Sequence, residues 1–267
     1  MSTEIIDLHH WFDSAPGRYL LQWEQGCFDA AVADIFGYHA LQIGMPWLDG
    51  LQGSRIPHRW RAAGATFVAG PGAGPAPHML LHSGALPFAD NSLDLVLLPH
   101  TLELSPDPHA ALREVARVLV PEGRVVISGI NPLSLWGLHQ RQFLQRWGGP
   151  WYLPEDCEFI TPWRLRDWLQ LLSFEVGAMQ FGCYRPALRT EGWLRRFACL
   201  DRLGPRAWPI LGAGYFVVAI KRVHGMRLLE PAWRHRPAPA MPGVSAINRS
   251  SQSAQPSTIQ TTDRKNT

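Results

Sequence analysis

The side chains best suited to chemistry follow the most apolar strand-like run of the chain. His100 and Glu103 come directly after Leu93–Pro99, which is apolar on both faces apart from one acid. Imidazole titrates near neutral pH, and the carboxyl ends of strands form the ligand crevice of open α/β sheets. His100 is therefore predicted to act as a base or a substrate-positioning group, with packing at the strand end as the alternative. Glu103 is predicted to cap or pair at the surface.

A parallel sheet would position these residues. Apolar runs predict five strands that alternate with helices, and then a closing pair of strands: residues 39–44, 66–69, 79–82, 93–99, 124–130, 174–179 and 215–221. The sequence thus predicts an α/β fold with a doubly wound, mostly parallel sheet of seven strands.

Three helices are predicted beside these strands. Asp107 and Thr161 are N-cap residues, and each is followed by a proline suited to the first helical turn. After Asp107 the apolar residues recur at helical spacing and form one buried stripe: Leu112, Val115, Ala116 and Leu119. Another helix is expected over residues 18–36.

Two segments in this frame carry a family resemblance. They are Leu86-Pro87-Phe88 with Asp94 and, after it, Arg-Glu-Val-Ala-Arg-Val-Leu-Val-Pro-Glu-Gly at residues 113–123. In this order the segments resemble the class I methyltransferases that use S-adenosylmethionine, of the type 11-like group. The resemblance spans roughly residues 38–130 and extends more loosely to 222. It implies a Rossmann-like fold and methyl transfer to a small acceptor, aromatic or lipid-like.

The resemblance also implies where S-adenosylmethionine would bind. The residues that align with the family's cofactor contacts are Gln42, Gly44, Met45, His82, Ser83, Leu86 and Pro99. Gln42 and His82 stand where the family has acids, and residues 69–72 offer no acid for the ribose. Gly44 is the one glycine that remains of the family's glycine-rich loop. Each charged hydrogen bond contributes about 1.5–3 kcal/mol, so the loss of several would weaken cofactor binding by orders of magnitude unless other groups replace them. The alternative is therefore a catalytically inactive methyltransferase-like domain with a binding or regulatory role.

Composition suggests how the chain is divided. We predict an N-terminal helical extension at 1–38, a methyltransferase-like domain at 39–230 and a disordered tail at 231–267, which is rich in Pro, Ser, Gln and Thr. The tail has five Lys or Arg residues and one acid, so it accounts for the chain's net charge of +3. Without a basic folded surface, nucleic-acid binding is not expected.

Several other classes of protein are not expected either. The apolar runs are shorter than a membrane span, and the first residues do not resemble a secretory signal. Four scattered cysteines fit neither a zinc site nor a disulfide framework, and the histidines show no metal-ligand spacing. A cytoplasmic protein without a metal is predicted, and its oligomeric state is left open.

Overall fold

The computed structural model describes residues 11–45, 47–64, 76–140, 152–153, 157–188 and 190–222. One seven-stranded sheet organises this part of the chain, with the strands in the order β3-β2-β1-β4-β5-β7-β6. The strands are β1 His39–Ile43, β2 His58–Gly64, β3 Met79–Leu81, β4 Leu93–Pro99, β5 Leu119–Ile130, β6 Phe174–Gly182 and β7 Gly214–Lys221. The predicted fold class, an α/β fold with a mostly parallel sheet, is confirmed.

The sheet places the ends of its central strands side by side. β1 and β4 pair in parallel from Ala40 opposite Leu95 to Gln42 opposite Leu97. β4 also pairs in parallel with β5, whereas β7 runs antiparallel to both β5 and β6. At the start of β4, the Asp94 carboxylate accepts hydrogen bonds from the backbone N–H groups of Tyr38 and His39 at 2.8 and 2.9 Å. The register of β1 against β4 is thereby fixed at the amino end.

Helices cover both faces of the sheet, and each face has its own apolar core cluster. The helices are α1 Ala15–Val32, α2 Pro108–Val118, α3 Pro162–Leu171, α4 Glu191–Arg196 and α5 Leu200–Ala207, followed by a 3-10 turn at Pro209–Leu211. The Asp107 side chain caps α2 by accepting from the Ala110 N–H at 2.9 Å. Thr161 is the N-cap residue of α3, although its side chain makes no capping hydrogen bond.

Helix α1 packs against the backbone of β6 and β7, the two closing strands of the sheet. Its Trp23 ring lies against Gly182 and Gly214, where an added Cβ would come within 2.0 and 2.8 Å of ring atoms. Only residues without side chains permit this contact. The helix begins at Ala15, earlier than predicted, because Ser14 accepts from the Gly17 N–H and Pro16 suits the first turn.

The second strand differs from its prediction. β2 lies at His58–Gly64, whereas the segment predicted as that strand, residues 66–69, lies outside the described residues. The start of β2 is polar and exposed, so the strand lacks the apolar run that marks a covered parallel strand. Its pairing with β1 over five residues is set by the tertiary structure.

The proposed division of the chain stays a prediction. The tail at 231–267 and the first ten residues lie outside the described part of the chain. Among the described helices, none has the length and apolarity needed to cross a membrane.

Candidate functional site

The loop after β1 is organised by the side chain of Gln42. This residue is buried, and its amide oxygen accepts a hydrogen bond from the Gly50 N–H at 3.0 Å. The amide nitrogen donates to the carbonyl oxygens of Leu48 at 2.6 Å and Met45 at 3.2 Å. Both ends of the amide are thus engaged by the backbone of the loop that would surround a cofactor in the family arrangement.

Gly44 and Met45 lie where β1 turns towards the end of β4. Gly44 has φ +85°, and a Cβ on it would lie 2.8 Å from Thr101 Oγ1 and 3.1 Å from the Pro99 carbonyl oxygen. The Thr101 hydroxyl donates to the carbonyl oxygen of Ile43 and so ties the two strand ends together. Met45, also at positive φ, is buried in one of the two core clusters. The structure therefore brings Gly44 and Pro99 together, whereas the Met45 side chain packs into the core.

A turn follows β3 and carries the other predicted cofactor residues. His82 is exposed, and its Nδ1 accepts from the Gly84 N–H at 3.2 Å. Ser83 Oγ lies 3.1 Å from Ser105 Oγ, in the loop before α2. Leu86 is buried, and its N–H donates to a Glu114 carboxylate oxygen at 3.0 Å. An imidazole, a hydroxyl and an apolar side chain thus lie near one turn, of which the imidazole is exposed.

His100 lies at the centre of a fully buried cluster of three ionisable groups. Its Nε2 is 2.8 Å from Glu24 Oε1, and its Nδ1 is 2.6 Å from Glu103 Oε2. Burial by itself would lower the pKa of His100, but the two carboxylates and their hydrogen bonds outweigh this and raise it to about 10. The imidazole therefore holds its proton at neutral pH.

The two carboxylates differ in their remaining contacts. Glu103 Oε1 accepts from the Ile130 N–H at 2.6 Å, at the end of β5. Burial raises the pKa of Glu103, although His100 and this N–H oppose the shift. Glu24 Oε2 is also buried, yet it has no hydrogen-bond partner among the described residues. An unpaired carboxylate oxygen in the protein interior is costly unless a donor or a cation approaches it.

This arrangement bears on two sequence predictions. Glu103 does not cap or pair at the surface, since it is buried beside His100; that expectation was wrong because the loop after β4 turns back under α1. The catalytic assignment of His100 stays a prediction. Because the ring is buried, protonated and hydrogen-bonded at both nitrogens, its geometry suits a positioning role better than that of a base.

Sequence reasoning missed Glu24, although the sequence contains a signal for it. Leu20, Glu24 and Phe28 follow one another at intervals of four residues, so Glu24 occupies the apolar stripe of α1. An acid in such a stripe is buried unless the helix face is open. Phe12 lies on the other side of His100, with ring centroids 5.1 Å apart, and completes the enclosure.

Metal chemistry has no visible support in the described part of the chain. No group of three or more His, Cys, Asp or Glu side chains there has an arrangement that could hold a metal ion.

Comparisons with known proteins agree with this architecture. Residues 71–127 match the family model described as a methyltransferase domain. An Escherichia coli K12 protein named "Uncharacterized protein YafS" is 47% identical over 91 residues, which are 34% of this chain and 36% of that protein. A Bacillus velezensis demethylmenaquinone methyltransferase is 40% identical over 104 residues, 38% of this chain and 43% of that enzyme. The chain thus spans less than half the length of either relative.

A solved structure supports the fold. One chain of the complex between the Haloferax volcanii Trm112 methyltransferase activator and a methyltransferase superposes with a TM-score of 0.52 at 16% identity. The superposition covers 82% of this chain and 99% of the other. At this level of identity the likeness concerns the fold.

Proposed function

We propose that the chain is a methyltransferase of the class I S-adenosylmethionine-dependent superfamily and that it acts on a small, aromatic or lipid-like acceptor. The observation that carries the proposal is the match of residues 71–127 to the methyltransferase-domain model, together with the seven-stranded sheet that the described residues form. A relative named demethylmenaquinone methyltransferase supports an aromatic, apolar acceptor.

One part of the described structure offers contacts for S-adenosylmethionine. Around β3, exposed His82 with Ser83 and Leu86 would hold the nucleoside end by stacking, hydrogen bonding and apolar contact. When bound, the cofactor supplies a methyl group on a positively charged sulfur.

The protein's own contribution would be alignment and exclusion of water. Methyl transfer from a sulfonium needs the acceptor atom, the methyl carbon and the sulfur in line, and orientation is a large part of such catalysis. In this proposal Glu24 and Glu103 hold His100 charged and fixed, so that His100 acts as a positioning residue. Gly44 allows β1 to end against the Pro99 carbonyl without a side chain between them.

A second function is favoured by the loop after β1. The Gln42 amide is fully used by loop backbone, and the Met45 side chain fills core space on the same side. In a domain that no longer binds the cofactor, the side chains of Gln42 and Met45 would occupy the loop in this way. Such a domain would serve as a binding or regulatory protein.

Calorimetric titration with S-adenosylmethionine and S-adenosylhomocysteine distinguishes the two functions. We expect saturable binding and a rise in melting temperature, since a ligand at a hundredfold excess over its Kd stabilises by about 2.7 kcal/mol. His82→Ala is expected to weaken binding, whereas His78→Ala, at another exposed histidine that accepts a backbone N–H, is the matched control. Absence of heat and of thermal shift would overturn the enzymatic proposal.

Methyl transfer itself is tested with cofactor labelled on the methyl group. Phenols and hydroxyquinones, with and without an alkyl tail, form a suitable acceptor panel. Labelled product from any of them would exclude the inactive domain. Cofactor binding without any product would instead leave the cofactor site standing and refute this acceptor class.

A further inference from the structure

The segment from α4 to the 3-10 turn carries a surface that the methyltransferase site does not use. We call it the α4–α5 surface and define it by its exposed apolar and cationic members: Trp193, Arg196, Arg202, Leu203, Arg206, Trp208 and Ile210. Only residues 197–199 separate α4 from α5, and backbone hydrogen bonds continue through them. The surface is therefore one short, ordered stretch of chain.

The inner sides of these helices are anchored to the domain. Leu194 is buried, and α4 contacts α1. In α5, Gly204 lies so close to the Tyr184 ring that an added Cβ would approach it to 2.2 Å. The helices therefore cannot turn their outer residues inward without losing this packing.

The outer residues include unusually large apolar side chains. Trp193, Leu203, Trp208 and Ile210 are 51%, 56%, 40% and 45% exposed, respectively. Single exposed apolar residues are ordinary, but these four lie within eighteen residues of one segment, so we consider them together as a contact surface. Two of the four are tryptophans, whose rings combine an apolar body with a polar N–H and are enriched where a membrane meets water.

The charged side chains of this segment that form no ion pair among the described residues are all cationic. Glu191 pairs with Arg195 at 2.8 Å, and Asp201 pairs with Arg185 at 2.9 Å. Among the described residues, no carboxylate forms an ion pair with Arg196, Arg202 or Arg206. The Arg196 guanidinium lies 5.3 Å from the centre of the Trp193 ring, so cation and indole form one unit.

We propose that the α4–α5 surface docks on an anionic lipid bilayer. Arginine stems and tryptophan rings can enter the headgroup region while the guanidinium groups stay with lipid phosphates. Charge complementarity selects this occupant, because Arg196, Arg202 and Arg206 form no ion pair with a carboxylate among the described residues and anionic leaflets attract such cations. The proposal does not depend on methyl transfer. If the acceptor is apolar and dissolved in a bilayer, docking would bring the protein to it.

Vesicle flotation with the full chain tests the proposal. We expect the protein to float with phosphatidylcholine vesicles that contain phosphatidylglycerol, and to float much less with phosphatidylcholine alone or at high salt. The triple variant R196Q/R202Q/R206Q should bind about tenfold more weakly or worse, because each cation near an anionic surface contributes a several-fold effect. The double variant W193S/W208S should also lose binding at unchanged net charge.

Matched variants elsewhere on the surface separate docking from general effects. R113Q/R164Q/R166Q removes the same charge from exposed positions of α2 and α3. W163S/L171S removes apolar side chains that are 45% and 83% exposed. Both controls should float like the parent, and circular dichroism checks that all variants fold. The proposal is overturned by absence of flotation, by equal loss in the controls, or by retention in the α4–α5 variants; retention would place the contact in another part of the chain.

Discussion

Gly44 occupies a backbone conformation that residues with side chains adopt at a cost. Its φ of +85° lies in the left-handed region, and its neighbours Thr101 and Pro99 leave no room for a methyl group. The requirement comes from the protein's own strand ends rather than from a ligand. A family glycine can thus persist for packing reasons alone.

Replacing this glycine tests that interpretation. Gly44→Ala should lower the free energy of unfolding by about 1–3 kcal/mol, from the positive φ and the contact with Thr101 Oγ1. Gly26→Ala is the control: it lies inside α1 with nothing within 4 Å of the added carbon, and should stabilise by about 0.5–1 kcal/mol. Urea unfolding measures both, and an unchanged midpoint for Gly44→Ala would contradict the argument.

At the scale of elements, α1 depends on the closing strands. Trp23 of α1 packs on Gly182, the last residue of β6, and on Gly214, the first of β7. The close approach requires glycine at both strand residues. The indole of Trp23 therefore packs directly on the backbone of β6 and β7, where their last and first residues pair.

A double-mutant cycle measures this dependence. Gly182→Ala should destabilise by about 1–3 kcal/mol because the new methyl overlaps the indole. In a Trp23→Ala background the same change should cost much less, since the obstructing ring is gone. Thermal unfolding of the four proteins supplies the coupling energy. Equal costs in both backgrounds would show that the indole is not what excludes the methyl.

Sequence patterns predicted elements where one physical signal dominated. β4 reads as a covered strand because nearly every residue is apolar, and α2 is marked by Asp107, Pro108 and a stripe of helical period. β2 was missed because its first residues are polar and exposed, so pairing with β1 decides its conformation. The buried cluster at His100 was not predicted: His100 was singled out, but Glu103 was expected at the surface, and Glu24 comes from a distant helix that only the tertiary structure brings near.

For the whole molecule, the buried cluster joins α1, the loop after β4 and the end of β5. Folding removes Glu24, His100 and Glu103 from water together. Breaking such a buried ion pair from one side typically costs about 3–5 kcal/mol. The main structural effect of the cluster is therefore to fix the positions of α1, the loop after β4 and the end of β5 relative to one another.

Stability should depend on pH through this cluster. The pKa of His100 is raised from 6.5 to about 10, so its contribution is complete below pH 6.5 and is lost as the pH rises towards 10. The free energy of unfolding should fall over that interval. His100→Gln should lower it by about 3–5 kcal/mol at neutral pH and flatten the fall above pH 7. His58→Gln, at an exposed histidine, should do neither; a parent protein equally stable at both ends of the interval would refute the assignment.

The contact between α1 and β7 has a consequence during synthesis. The ribosome synthesises α1 about 150 residues or more before Gly182 and Gly214, against which the helix packs. The nascent helix therefore leaves the exit tunnel before the strands that cover its apolar side have been made. Its apolar stripe, with an acid embedded in it, must stay in water or with a chaperone until then. Translation speed and chaperone supply should therefore influence how much of this protein reaches its native form.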